Sequence, residues 1–88
     1  MNRIQVILTI NTDQLPDNFG EILKKEQEAV AIWKQAGFLE HLFLREEKNG
    51  AVLIFQGLEL AKVEELISSL PFYPLRKTIE YFSLIKKF

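Results

Sequence analysis

Residues 3–10, RIQVILTI, alternate in character. Ile4, Val6, Leu8 and Ile10 fall on one face, and Arg3, Gln5, Ile7 and Thr9 on the other, which predicts a strand with one wholly apolar face. A polar loop with Pro16 follows, and Asp17 or Asn18 stands where a helix cap is expected. From 19 to 36 the period changes to that of a helix. Phe19, Ile22, Leu23, Ala29, Val30 and Trp33 form one stripe, and Gly37 stands where a C-terminal glycine cap belongs. FLEHLFLREE (38–47) predicts a second strand, KNG (48–50) a hairpin turn with positive φ at Asn49-Gly50, and AVLIFQG (51–57) the returning strand. Leu60, Val63, Leu66, Ile67 and Leu70 predict a second helix over 59–70, stopped by Pro71. RKTIEYFSLIKKF (76–88) supplies a last strand and a basic tail.

The order β-α-β-β-α-β, with right-handed crossovers, predicts a ferredoxin-like α+β plait. Its four-stranded antiparallel sheet carries both helices on one face. The middle strands are apolar on both faces, so the uncovered face must meet a second sheet, a ligand or both.

With 88 residues the chain is one domain, 1–88, and marginal alone, yet 48% of it is hydrophobic. That surplus calls for a partner subunit. Eleven basic and twelve acidic residues are interspersed, net −1, with no basic stripe, which argues against nucleic acid as a partner. There is no cysteine and one histidine, so neither a thiolate site nor a multi-histidine metal site can form within one chain. No metal or cofactor is expected. No apolar run has the length of a membrane span and the N-terminus lacks a secretory pattern, so a cytoplasmic protein without membrane association is expected.

Residues 70–74, LPFYP, place two prolines around two aromatics between a helix and a strand. With KKEQEA in the first helix and QAGFLEHLFL leading into the second strand, this stretch resembles the muconolactone Δ-isomerase family over essentially the whole chain. The resemblance implies two sheets packed face to face as a dimeric α+β barrel, with rings of dimers as a further level of assembly.

Glu26 lies within about 20° of the centre of the first helix's apolar stripe. A carboxylate there is either paired, with Arg45, Lys48 or a neighbouring subunit, or raised in pKa and suited to proton abstraction beside a carbonyl. The resemblance places a glutamate at this position, and a histidine in the second strand that His41 matches. His41 is the candidate helper, or else an interface histidine. Glu28 points away from the stripe as a solvated charge. Gln5, Ile7 and Thr9 lie on the face that a partner sheet or ligand would see. Phe72 and Tyr73 either plug the barrel end or cap the core. Tyr81 and Glu80 point to opposite faces, and one of them lines the barrel. Ile7, Glu40 and Leu44 stand where the resemblance implies polar and basic groups. Arg3, Arg45 and Arg76 are the only arginines available for an anionic ligand.

Three readings follow. The first is an isomerase-like enzyme moving a C=C bond by cofactor-free proton transfer on a small unsaturated lactone or keto acid. The second is a non-catalytic small-molecule-binding or assembly module. The third is a monooxygenase-like barrel.

Overall fold

The structure, a computed structural model, describes residues 2–88. Strand β1 (Arg3–Ile10) leads to helix α1 (Phe19–Ala36), strands β2 (Leu39–Leu44) and β3 (Gly50–Gln56), helix α2 (Leu60–Ser68) and strand β4 (Arg76–Leu84). Short 3-10 turns occupy Thr12–Gln14 and Tyr73–Leu75. The sheet order is β2-β3-β1-β4, all pairs antiparallel, so the expected plait is the observed fold.

The alternation in β1 explains the core. Ile4, Val6, Leu8 and Ile10 are all buried, facing Phe55 and Leu53 of β3 and Leu39 of β2. Trp33 of α1, Val63 and Ile67 of α2, and Leu70 close over them. Gly37 ends α1 at φ 92°, its N–H donating to the Lys34 carbonyl. Asn18 holds the N-cap position of α1 without a side-chain cap bond. Helix α2 stops at Ser68, where the Ser68 and Ser69 hydroxyls donate to the Glu65 and Leu66 carbonyls, shorter than the 59–70 span expected.

The β2–β3 hairpin departs from the expected turn. Lys48, not Asn49 or Gly50, carries the left-handed backbone at φ 62°. The chain reverses early: the Lys48 N–H donates to the Arg45 carbonyl, and the Arg45 N–H to the Gly50 carbonyl. β2 therefore ends at Leu44. Gly50 is needed for close approach, because a Cβ there would collide with the Leu8 carbonyl.

One irregularity sets the faces of β2. Leu39 pairs with Phe55, yet His41 pairs with Ile54, so Glu40 is an extra, unpaired residue. This bulge turns His41 and Phe43 to the open face and Leu42 and Leu44 to the helix face. Arg3 and Glu40 are joined by a two-bonded ion pair, 2.9 and 3.1 Å, which holds the Glu40 carboxyl below its usual range. The open face carries Ile7, Val52, Ile54, Phe43, Phe82 and Leu84, with Phe43 57% exposed. Among the described residues no helix is long and apolar enough to cross a membrane.

Candidate functional site

The helical period puts Glu26 on the inner side of α1, where only 8% of the residue remains exposed. Among the described residues it is the one charged side chain in the core. Its Oε1 accepts a hydrogen bond from the Phe72 backbone N–H at 3.0 Å. No cation pairs with it: the ion pairs among the described residues are Arg3–Glu40, Arg45–Glu47 and Lys62–Glu65. Burial raises the Glu26 carboxyl to about 7, and the Phe72 N–H opposes that shift only in part.

The LPFYP stretch acquires a role here. Pro71 follows α2 and frees the chain from helical bonding, so the Phe72 amide is available to cross to α1. The Phe72 ring stacks on Phe19 at 5.6 Å and 10°, tying the start of α1 to the end of α2.

Beside Glu26 lies a cavity of about 600 Å³ between α1 and the sheet. Its walls are Leu8, Ile10 and Leu53 below, Leu23 and Val30 of α1, Leu42 and Leu44 of β2, and Phe19 and Phe72 at one end. Gln27, Arg45 and Lys48 contribute the polar part of its lining. An apolar hollow with one unpaired carboxyl and a few polar groups suits a small, largely apolar molecule with one acidic C–H. Among the described residues no cluster of three or more His, Asp or Glu side chains could hold a metal.

The structure brings together only part of the expected set. Glu26 and Phe72 share the cavity. His41 lies on the opposite face of the sheet, exposed, 6.0 Å from the Phe43 ring. Gln5, Ile7 and Thr9 also lie on that open face, so the ligand-sized hollow is on the other side of the sheet from them. Tyr73 and Tyr81 line a separate, more open hollow of about 530 Å³ between α2 and β4. The Arg76 guanidinium sits 3.9 Å over the Tyr73 ring. Burial and then the Glu64 carboxylate push the Tyr81 phenol up. Glu80 faces the open side of the sheet. The sequence presents Arg45 and Lys48 as partners for Glu26, and Arg45 also as a candidate for an anionic ligand. In the fold they belong to the cavity without touching that carboxyl, and their REEK turn carries no pattern that separates it from an ordinary polar hairpin.

No family model matches the chain, and no curated protein matches it in sequence. Its fold is similar to that of a muconolactone isomerase solved at 3.3 Å resolution. The TM-score is 0.79 at 19% identity, covering 96% of this chain and 88% of that one. It is also similar to 5-chloro-2-hydroxyhydroquinone dehydrochlorinase from Burkholderia phenoliruptrix AC1100 in complex with 2,5-dihydroxybenzoquinone. There the TM-score is 0.62 at 11% identity, covering 91% and 90% of the two chains.

Proposed function

We propose that this protein is a cofactor-free isomerase acting on a small unsaturated lactone or keto acid, with Glu26 as the general base. The observation that carries the reading is an unpaired, buried carboxyl, raised to about 7, in the wall of an apolar cavity of substrate size. A base near neutrality combines a useful ionised fraction with the strength to take a proton beside a carbonyl. In the step envisaged, the Glu26 carboxylate removes a proton from a carbon conjugated to the carbonyl. The electron pair left behind spreads to the carbonyl oxygen as a dienolate. The Glu26 carboxylic acid then returns the proton at another carbon of the conjugated system, so the double bond moves and no atoms are gained or lost.

The fold likeness to a muconolactone isomerase supports this chemistry, and the exposed apolar face of the sheet supports a homodimer as its frame, with rings of dimers as a larger form. The non-catalytic binding module is the competing reading. It is favoured by the placement of His41 away from the cavity, which leaves Glu26 without a histidine partner in its own chain. The experiment is hydrogen exchange from D₂O into muconolactone, followed by ¹H NMR. The isomerase reading expects exchange by the parent protein and its loss in Glu26→Gln. Muconolactone binding without exchange in either protein would favour the module.

A further inference from the structure

Of the two basic residues that line the cavity, only one has its charge free. The Arg45 guanidinium donates to the Thr9 hydroxyl at 3.1 Å and to the Glu47 carboxylate at 2.8 Å. Arg45 thus lines the cavity with its charge already answered. Lys48 has no carboxylate within ion-pairing distance among the described residues. It lies beside Gly50 and Ala51 in the cavity lining, at the hairpin that bounds it, and is itself exposed, so it stands at the rim.

The backbone at this position is informative. Lys48 adopts φ 62°, a conformation that a glycine takes freely and that a side chain resists. The turn bond from its N–H to the Arg45 carbonyl holds it there. A lysine kept where a glycine fits better points to a use for its side chain. The cavity explains what that use is. Apart from Gln27 and the already paired Arg45 its walls are apolar, and the one acid in it, Glu26, is governed by burial and the Phe72 N–H rather than by any cation. Acid and cation in one hollow thus remain unpaired, each available to a ligand.

We propose that Lys48 is the anion receptor of this cavity, binding a ligand carboxylate at the rim and so selecting small carboxylate-bearing molecules over their neutral analogues. The proposal rests on the isomerase reading for the orientation of the ligand, with its carboxylate outward and its acidic carbon toward Glu26. An ammonium ion on a flexible stem makes no demand for two-pronged geometry, so it suits a single carboxylate on a ring substituent. Lys48 is on this account a specificity residue, and it takes no part in the proton transfer.

The test is a titration of the full chain with muconolactone and, separately, its methyl ester, read from ¹H–¹⁵N shifts of the Phe72 and Gly50 amides. The parent protein should bind the acid about 10-fold more tightly than the ester at low ionic strength. Lys48→Met should bring that ratio to about 1, and Lys48→Arg should keep it. Lys48→Gly should also abolish it while leaving Tm unchanged or raised, which separates loss of binding from loss of fold. Absence of acid preference in the parent, or an unchanged ratio in Lys48→Met, overturns the proposal. The two readings fail separately. A Lys48-dependent preference with no hydrogen exchange upholds the receptor and rejects the isomerase. Exchange with equal kcat/KM for acid and ester does the reverse. Glu26→Gln, which lacks the base, should retain the preference.

Discussion

Beneath α2 the apolar stripe is tightly covered: Val63 and Ile67 are fully buried and Leu70 is 3% exposed, and the hollow beside Tyr73 and Tyr81 lies at its β4 edge. Beneath the first turns of α1 the same face of the same sheet stands open. Leu23 is 38% exposed, Leu42 40% and Leu44 77%, and the cavity lies among them. The two helices draw on the same kinds of residue, so composition does not explain the difference. α1 places a carboxyl near the centre of its stripe where α2 places isoleucine, and that carboxyl needs a polar partner, here the Phe72 N–H, which packing against leucine does not supply. One half of the layer is closely packed, and the other holds a buried carboxyl with a space beside it.

Removing the carboxyl should have the largest effect. Glu26→Gln should lower isomerisation or hydrogen exchange by about 10²–10⁴-fold, the usual worth of a positioned base, with the fold intact. The next effect belongs to the packed half. Ile67→Ala should cost about 3 kcal/mol of stability by denaturant unfolding, whereas Leu23→Ala, beside an existing hollow, should cost less than about 1 kcal/mol. Equal costs would mean that the two halves are packed alike.

Stability against pH separates the halves again. The Glu26 carboxyl rises from its ordinary 4.5 to about 7 on folding. Between those values the native protein holds a proton that the unfolded chain has released, so stability should fall as pH rises from about 4.5 to about 7, then level off. The fall is on the order of 2 kcal/mol, allowing for screening through the open cavity. Glu26→Gln stays neutral and can still accept the Phe72 N–H. It should flatten the slope and exceed the parent in stability above pH 7.

Much of this architecture is legible in the chain. The period-two run in β1 and the period of 3.6 in α1 locate the core and place Glu26 inside it. The rest depends on contacts distant in sequence. Apolar residues flank His41 on both sides, so alternation does not reveal its face, and the bulge at Glu40 that decides the matter has no local signature. The Phe72 N–H reaches Glu26 across 46 positions of chain, so LPFYP reads locally only as a rigid aromatic connector. Asn49-Gly50 resembles a tight turn, yet Gly50 answers a close approach by Leu8, and the positive φ falls on Lys48.

Smaller effects concern the uncovered face. Phe43 stands on it opposite Val52, more than half exposed. If a second copy covers this face, Phe43→Lys should weaken self-association by about 10-fold or more in sedimentation at micromolar concentration. Ile32, 65% exposed on the outer side of α1, should matter only to assembly beyond the dimer. Ile32→Lys should therefore shift larger species toward dimers without changing activity.

The Glu26 side-chain carboxyl can be titrated by ¹³C NMR in the folded protein. A midpoint near 7, well above that of every other glutamate, is the predicted result. A midpoint near the ordinary 4.5 would mean that the carboxyl is solvated or paired, and would contradict the account of Glu26 as a base held ready in an apolar cavity.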